Sequence, residues 1–138
     1  MAVTQRQIAL IRASFDGLRG DMRPPSEQFY TALFRRAPQL RPLFREDLEG
    51  QGMKFMSTLA VIVDNLHDEA DLAERYVELG GNHATVGVHV RDFDTMREAL
   101  IDMFRYLQGD AFDAETEAAW RVAYDDMARA MIGSGGIS

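Results

Sequence analysis

Apolar residues recur at three- and four-residue steps through most of this chain, and only one short segment, VGVHV, carries the valine enrichment of a strand. Ile8, Ile11, Phe15 and Leu18 mark a first helical stripe, with Thr4 and Gln7 spaced for a capping box and Gly20 placed to end the helix. Pro24, Pro25 and Ser26 open a second helix through Phe29, Tyr30, Leu33 and Phe34, which Pro38 interrupts. A short helical turn follows with Leu40, Leu43 and Phe44. From about Asp47 to Asn65 a longer helix carries Leu48, Phe55, Leu59 and Ile62, continuing to Leu66, and Gly52 allows another backbone to approach it closely. A fourth helix begins after Asp68 and stops at Gly80 and Gly81. Asp92 is placed to cap a fifth, whose inward residues are Phe93, Met96, Leu100, Met103, Phe104 and Leu107. After a turn at Gly109 and Asp110, Asp113 caps the last helix, where Trp120, Tyr124, Met127 and Met131 recur; the Gly/Ser tail is expected to fray from about residue 132.

The pattern predicts an all-α fold of six to seven helices, with VGVHV as an irregular loop. At 138 residues the chain fits one domain, 1–138, that buries somewhat over 60% of its extended surface around a single core. A plain four-helix bundle is the alternative, but the break at Pro38 and the turn at Gly80 fit crossed packing better. A net charge of −7 without a Lys/Arg-rich run argues against broad binding to nucleic acid or an anionic membrane. No cysteine is present, which removes disulfides, thiolate ligands and cysteine nucleophiles. With no secretory start and no apolar run near the roughly 20 residues of a membrane span, a cytoplasmic location is the expectation.

Three polar residues fall on apolar faces. His83 closes the stretch LAERYVELGGNH in phase with Leu72, Tyr76 and Leu79; Tyr30 lies one turn before Leu33 and Phe34; Gln51 lies one turn before Phe55. Inward polar groups need hydrogen bonds or a ligand. A flat iron porphyrin with His83 on one face and Tyr30 and Gln51 near the other satisfies all three, while three separately hydrogen-bonded core residues is the plainer reading. Of the other histidines, His67 sits among charges in NLHDEAD and reads as a solvated turn, whereas His89 is flanked by valines and falls near the edge of such a site. Met53 and Met56 share the helix of Gln51 and are weaker alternatives as iron ligands.

Four segments in order, FYTALFRRAPQLRPLF, QGMKFMSTL, ELGGNHATVGVHVRDF and AAWRVAYDDM, resemble the globin family, in particular the single-domain bacterial haemoglobins and the haem domain of flavohaemoglobins. The resemblance runs from about Thr4 to Met131 and implies a globin-like fold around haem b. By that likeness His83 is the proximal iron ligand, Tyr30 and Gln51 are the distal donors to a bound gas, and Phe44 packs on the ring. Phe55 lies over the ligand, and Leu79, Val88 and Phe93 complete the cofactor contacts. Lys54 and Arg41 are placed either to pair with haem propionates or to stay solvated. Two departures stand out: Phe93 occupies the family's proximal tyrosine position, and the proximal glutamate position falls near Gly135. Both changes make the proximal side less polar and weigh against peroxidase-like chemistry.

The implied function is reversible binding of dioxygen for storage, delivery or ligand handling, with nitric oxide or carbon monoxide as further ligands. A nitric oxide dioxygenase is the enzyme alternative; with no GxGxxG in the sequence, it is expected to need a separate flavin reductase. A haem-based gas sensor or redox interaction module is a third reading, a cofactor-free helical protein a fourth, and a homodimer is compatible with all of them. The placement of His83 carries the first prediction. His83→Ala is expected to abolish five-coordinate ferrous haem and to lower both haem retention and apparent stability, because a ligand bound only to the folded state stabilises it. A pigment spectrum and haem content equal to those of the unaltered chain would refute the assignment.

Overall fold

The computed structural model describes residues 3–44, 48–68, 70–76, 78 and 89–135. Helix α1 spans Gln5–Asp16, α2 Arg23–Arg36, α3 Leu48–Asp64, α5 Val90–Gln108 and α6 Ala114–Gly135. Between α3 and α5, residues 70–76 are helical and are called α4. Two 3₁₀ segments, Pro38–Leu43 and Gly109–Ala111, join α2 to α3 and α5 to α6. No strand occurs among the described residues, and no described helix is long and apolar enough to cross a membrane. The all-α, globin-like architecture expected from the stripes is the one observed.

Local chemistry explains most of the boundaries. Thr4 caps α1 through a reciprocal box, its hydroxyl accepting from the Gln7 N–H at 3.1 Å while the Gln7 side chain accepts from the Thr4 N–H at 2.9 Å. Gly20 does not end that helix. The α-helix stops at Asp16 and the chain tightens into turns in which Leu18 and Arg19 donate to Phe15 and Asp16, so Leu18 stays buried outside the helix proper. Pro24 and Pro25 occupy the first positions of α2, where a missing N–H costs nothing, and Pro38 opens the 3₁₀ turn. Asp113 caps α6 by accepting from the Thr116 N–H at 2.8 Å.

The start of α5 differs from the expected one. Val90 is already helical and His89 is the cap residue; Asp92, one turn in, reaches back to accept from the His89 N–H at 2.8 Å. The acid thus closes the cap from the third helical position instead of forming the cap itself. Helix α6 runs to Gly135, past the point where the tail was expected to fray. The stop at Gly80 and Gly81 lies outside the described residues, as does the VGVHV segment apart from its last two residues: His89 is extended, and Val90, expected in the loop, opens α5.

The core is built from crossed pairs: α2 packs on α3 and α5, α1 on α6 and α3, and α6 on α5. At the α1–α6 end, Trp120 lies 4.8 Å from Phe104, which stacks on Phe112 at 5.0 Å. The Trp120 indole N–H donates to Ser14 Oγ at 2.7 Å, and Gln108 donates to the Ser14 carbonyl at 2.8 Å, tying α1, α5 and α6 together. Arg36 binds Asp102 through two nitrogens at 2.6 and 3.0 Å, linking α2 to α5.

Helices α2 and α3 approach closely at Gly52. A Cβ built on Gly52 would lie 1.7 Å from Ser26 Oγ and 3.0 Å from both Ser26 Cβ and Tyr30 Cε2. Gly52→Ala is therefore expected to lower the unfolding free energy by about 1–3 kcal/mol, more than the roughly 1 kcal/mol that alanine gains over glycine within a helix. Ser26→Gly in the same chain should recover part of the loss. Urea midpoints of the three proteins check this, and an unshifted midpoint for Gly52→Ala would contradict the close approach.

Candidate functional site

Helix α2 presents adjacent aromatics in two directions. Tyr30 is buried in an aromatic group made by its own helix and the segment that follows. Its ring stacks on Phe34 at 5.7 Å and meets Phe44 edge-on at 5.2 Å, and Phe34 and Phe44 are 5.5 Å apart. The 3₁₀ turn permits this, because it brings Phe44 back over α2 within a few residues of Pro38. Tyr30 and Phe44, both singled out in the sequence, are thus brought together; Phe34, previously counted only as part of an apolar stripe, joins them.

Phe29 meets the Tyr30 ring edge-on at 5.5 Å and stacks on Phe55 of α3 at 4.4 Å, with ring planes 15° apart, so it joins the Tyr30 group to α3. Phe29 and Phe55 line an apolar cavity of about 70 Å³, together with Phe93, Met96, Leu100 and Tyr124 among others. The periodicity of α3, α5 and α6 had marked most of these as inward, but not that Phe29 and Thr58 share the cavity. Tyr30 lines a separate open groove of about 450 Å³ between α2 and the first turn of α3, alongside Ser26, Leu48 and Glu49.

Gln51 lies in α3 directly before Gly52, the residue that backs onto Tyr30. Its Oε1 is buried without a hydrogen-bond partner, the one such side-chain atom among the described residues. An unsatisfied buried acceptor costs about 1–3 kcal/mol, a cost that a bound water or ligand would relieve. A half turn of the terminal amide exchanges its oxygen for an N–H donor in the same space.

Of the remaining predicted positions, Phe93, buried in the first turn of α5, shares the inner cavity with Phe55, whereas Lys54 is exposed on α3. Leu79, His83 and Val88 lie outside the described residues. Met56 is fully buried in the core and Met53 half-buried. His67 is exposed, its Nδ1 2.9 Å from Arg12, whose guanidinium also donates to the carbonyls of Val63 and Asp64 at the end of α3. That is the solvated turn the charges around it predict.

The described residues fit a porphyrin in chemistry. The lining of the inner cavity is apolar and aromatic, as the body of the ring requires, and an unpartnered polar atom stands on α3. A cofactor pocket usually measures about 300–1,000 Å³, so the 70 Å³ cavity would be only its inner end.

Burial pushes the Tyr30 phenol up to about 12. Tyrosine in an unfolded chain titrates near 10, so the folded protein holds this proton more tightly. The associated stability is complete below about pH 10 and is lost as pH rises toward about 12. Tyr76, also raised to about 12 by burial, adds a similar contribution. Tyr30→Phe is expected to flatten the alkaline loss of stability by up to about 1.4 kcal/mol per pH unit. Denaturant titrations of both proteins across that range measure it, and identical slopes would place the hydroxyl in water.

A family model described as Globin matches residues 27–131. The chain is 27% identical to a leghemoglobin of Psophocarpus tetragonolobus, over 93% of this chain and 94% of that protein. It is 25% identical to a leghemoglobin of Canavalia lineata, over 94% of each, and 25% identical to leghemoglobin-1 of Lupinus luteus, over 91% of each.

Proposed function

The chain belongs to the globin family, and from that premise we propose that it binds dioxygen reversibly at a b-type haem. The observation that carries this reading is the buried, unpartnered amide oxygen of Gln51 on a helix packed against the buried Tyr30. A buried polar atom with nothing in the protein to satisfy it, as at Gln51, is what a site for a small polar ligand requires. The finer likeness to single-domain bacterial haemoglobins is part of the reading and rests on that tyrosine–glutamine pair.

The haem supplies the iron centre at which a diatomic gas is taken up and released. His83 would hold the iron; Phe44 and Phe55 would pack on the ring and above the ligand, and Phe93 would border the proximal side. Tyr30 acts as the principal donor. Its ring is fixed between Phe34, Phe44 and Gly52 of α3, and its elevated pKa keeps the hydroxyl protonated, hence a donor, throughout the neutral range. Gln51 acts as the second donor through its amide, on a longer side chain with more freedom to turn. Lys54, exposed at the surface, would pair with a propionate.

Oxygen release tests the pair. Removing a hydrogen bond to a partly charged ligand costs about 1.5–3 kcal/mol, or roughly 10- to 150-fold in rate. Tyr30→Phe is expected to speed oxygen dissociation within that range and by more than Gln51→Ala does, with carbon monoxide affected less. Stopped-flow displacement of oxygen measures both. Rates unchanged in the single and the double variants would remove the polar distal pocket from the reading.

A further inference from the structure

Arg41 is exposed, yet both ends of its residue are committed to Phe44. Its carbonyl accepts from the Phe44 N–H at 3.1 Å, and its Nη1 donates to the Phe44 carbonyl at 2.7 Å. The same guanidinium lies 5.6 Å over the ring of Phe34, close to the reach of a cation–π contact. Phe34 and Phe44 are two of the three rings that pack on Tyr30, the third being Phe29.

We infer that Arg41 is a positioning residue: it clamps Phe44 at the end of the 3₁₀ turn and, through Phe34 and Phe44, holds Tyr30 in its donor geometry. The inference rests on the haem reading for its functional consequence, whereas the clamp is a contact within the protein itself. The chemistry favours arginine. Phe44 ends the 3₁₀ helix, where carbonyls lack helical partners, and a planar guanidinium can donate to that carbonyl from its edge while its face covers a ring. A neutral or shorter side chain at position 41 leaves the Phe44 carbonyl to water and Phe34 uncovered. The alternative role, pairing with a haem propionate, would use the donors that Phe44 leaves free.

Two measurements separate these roles. In the haem-free protein, Arg41→Ala should speed hydrogen exchange of the Phe44 amide by about 10-fold through local opening and shift the ring resonances of Phe34 and Phe44. Arg41→Lys, which keeps a cation and a donor, should restore most of both. In the haem-loaded protein, Arg41→Ala should speed oxygen dissociation by about 3- to 30-fold, since small misplacement of a positioned group is costly. That difference should persist when the protein is reconstituted with haem dimethyl ester, which has no carboxylates. Unchanged exchange and ring signals in Arg41→Ala would overturn the clamp. A rate effect that vanishes with the ester would overturn the positioning role and assign Arg41 to a propionate. If the unaltered chain takes up no haem, the haem reading fails, and the exchange comparison still decides the clamp.

Discussion

The approach of α3 to α2 at Gly52 sets the rest of the site. With no side chain at that position, α3 comes so close to α2 that a methyl group would overlap Ser26 and press on Tyr30. The contact sits at the middle of three functional positions. It follows Gln51 in sequence, it lies against Tyr30 in space, and it is one turn short of Phe55, which reaches Phe29. A wider crossing would move Gln51 and Phe55 outward together, because both are rigidly spaced on one helix. The glycine therefore fixes the depth at which the distal residues stand, and α2 supplies the surface against which that depth is set.

Charge is organised quite differently from the interior polar groups. On the α5–α6 face Arg121 holds Glu98 at 2.7 and 3.0 Å, Arg97 meets Glu98 and Asp125 at 2.9 Å, and Glu117 takes hydrogen bonds from Arg105 and Arg121. Hydrogen bonds from Arg121 and then Arg97 outweigh desolvation and keep Glu98 ionised down to about 2. These half-buried pairs join α5 to α6 and are satisfied within the protein. The unsatisfied atom stands instead on the opposite side of the core, at Gln51. A protein that pairs its peripheral charges so thoroughly has the means to satisfy an amide, which gives that one exception its weight as a sign of a ligand.

Much of this was readable from the sequence, because the residues that decide the helices are local. Thr4 with Gln7, Pro24 with Pro25, and Asp113 each act within one turn, and the apolar stripes of α3, α5 and α6 reappear as buried faces. Asp92 was harder. An acid near a helix start can close the cap from the cap position or from three residues inside, and the two differ only in whether Val90 takes helical angles. Gly20 misled for a related reason: Leu18 continues the apolar stripe after the helix has tightened into turns, so periodicity outlasts the α-helix. At the site, the inward direction of Tyr30 and Gln51 followed from helical phase. The ring group around Tyr30, the stack of Phe29 on Phe55 and the Arg41 clamp did not, because they depend on how separate elements meet.

The two sides of the core also differ in what they can offer a bound group. On the proposed haem reading, the distal side would carry the Tyr30 phenol and the Gln51 amide. Of the positions that resemble the proximal tyrosine and glutamate of flavohaemoglobins, the first is held by Phe93, buried and without a hydroxyl, and the second falls near Gly135 at the end of α6. Tyr124 does not replace the missing hydroxyl as a charge donor: burial pushes its pKa up strongly, so it stays neutral. An anionic partner to a proximal histidine would raise its basicity and push electron density toward iron. Phe93 and Gly135 offer no such anion, so a haem site of the proposed kind would hold its ligand through the Tyr30 phenol and the Gln51 amide and not through a charge on the proximal side.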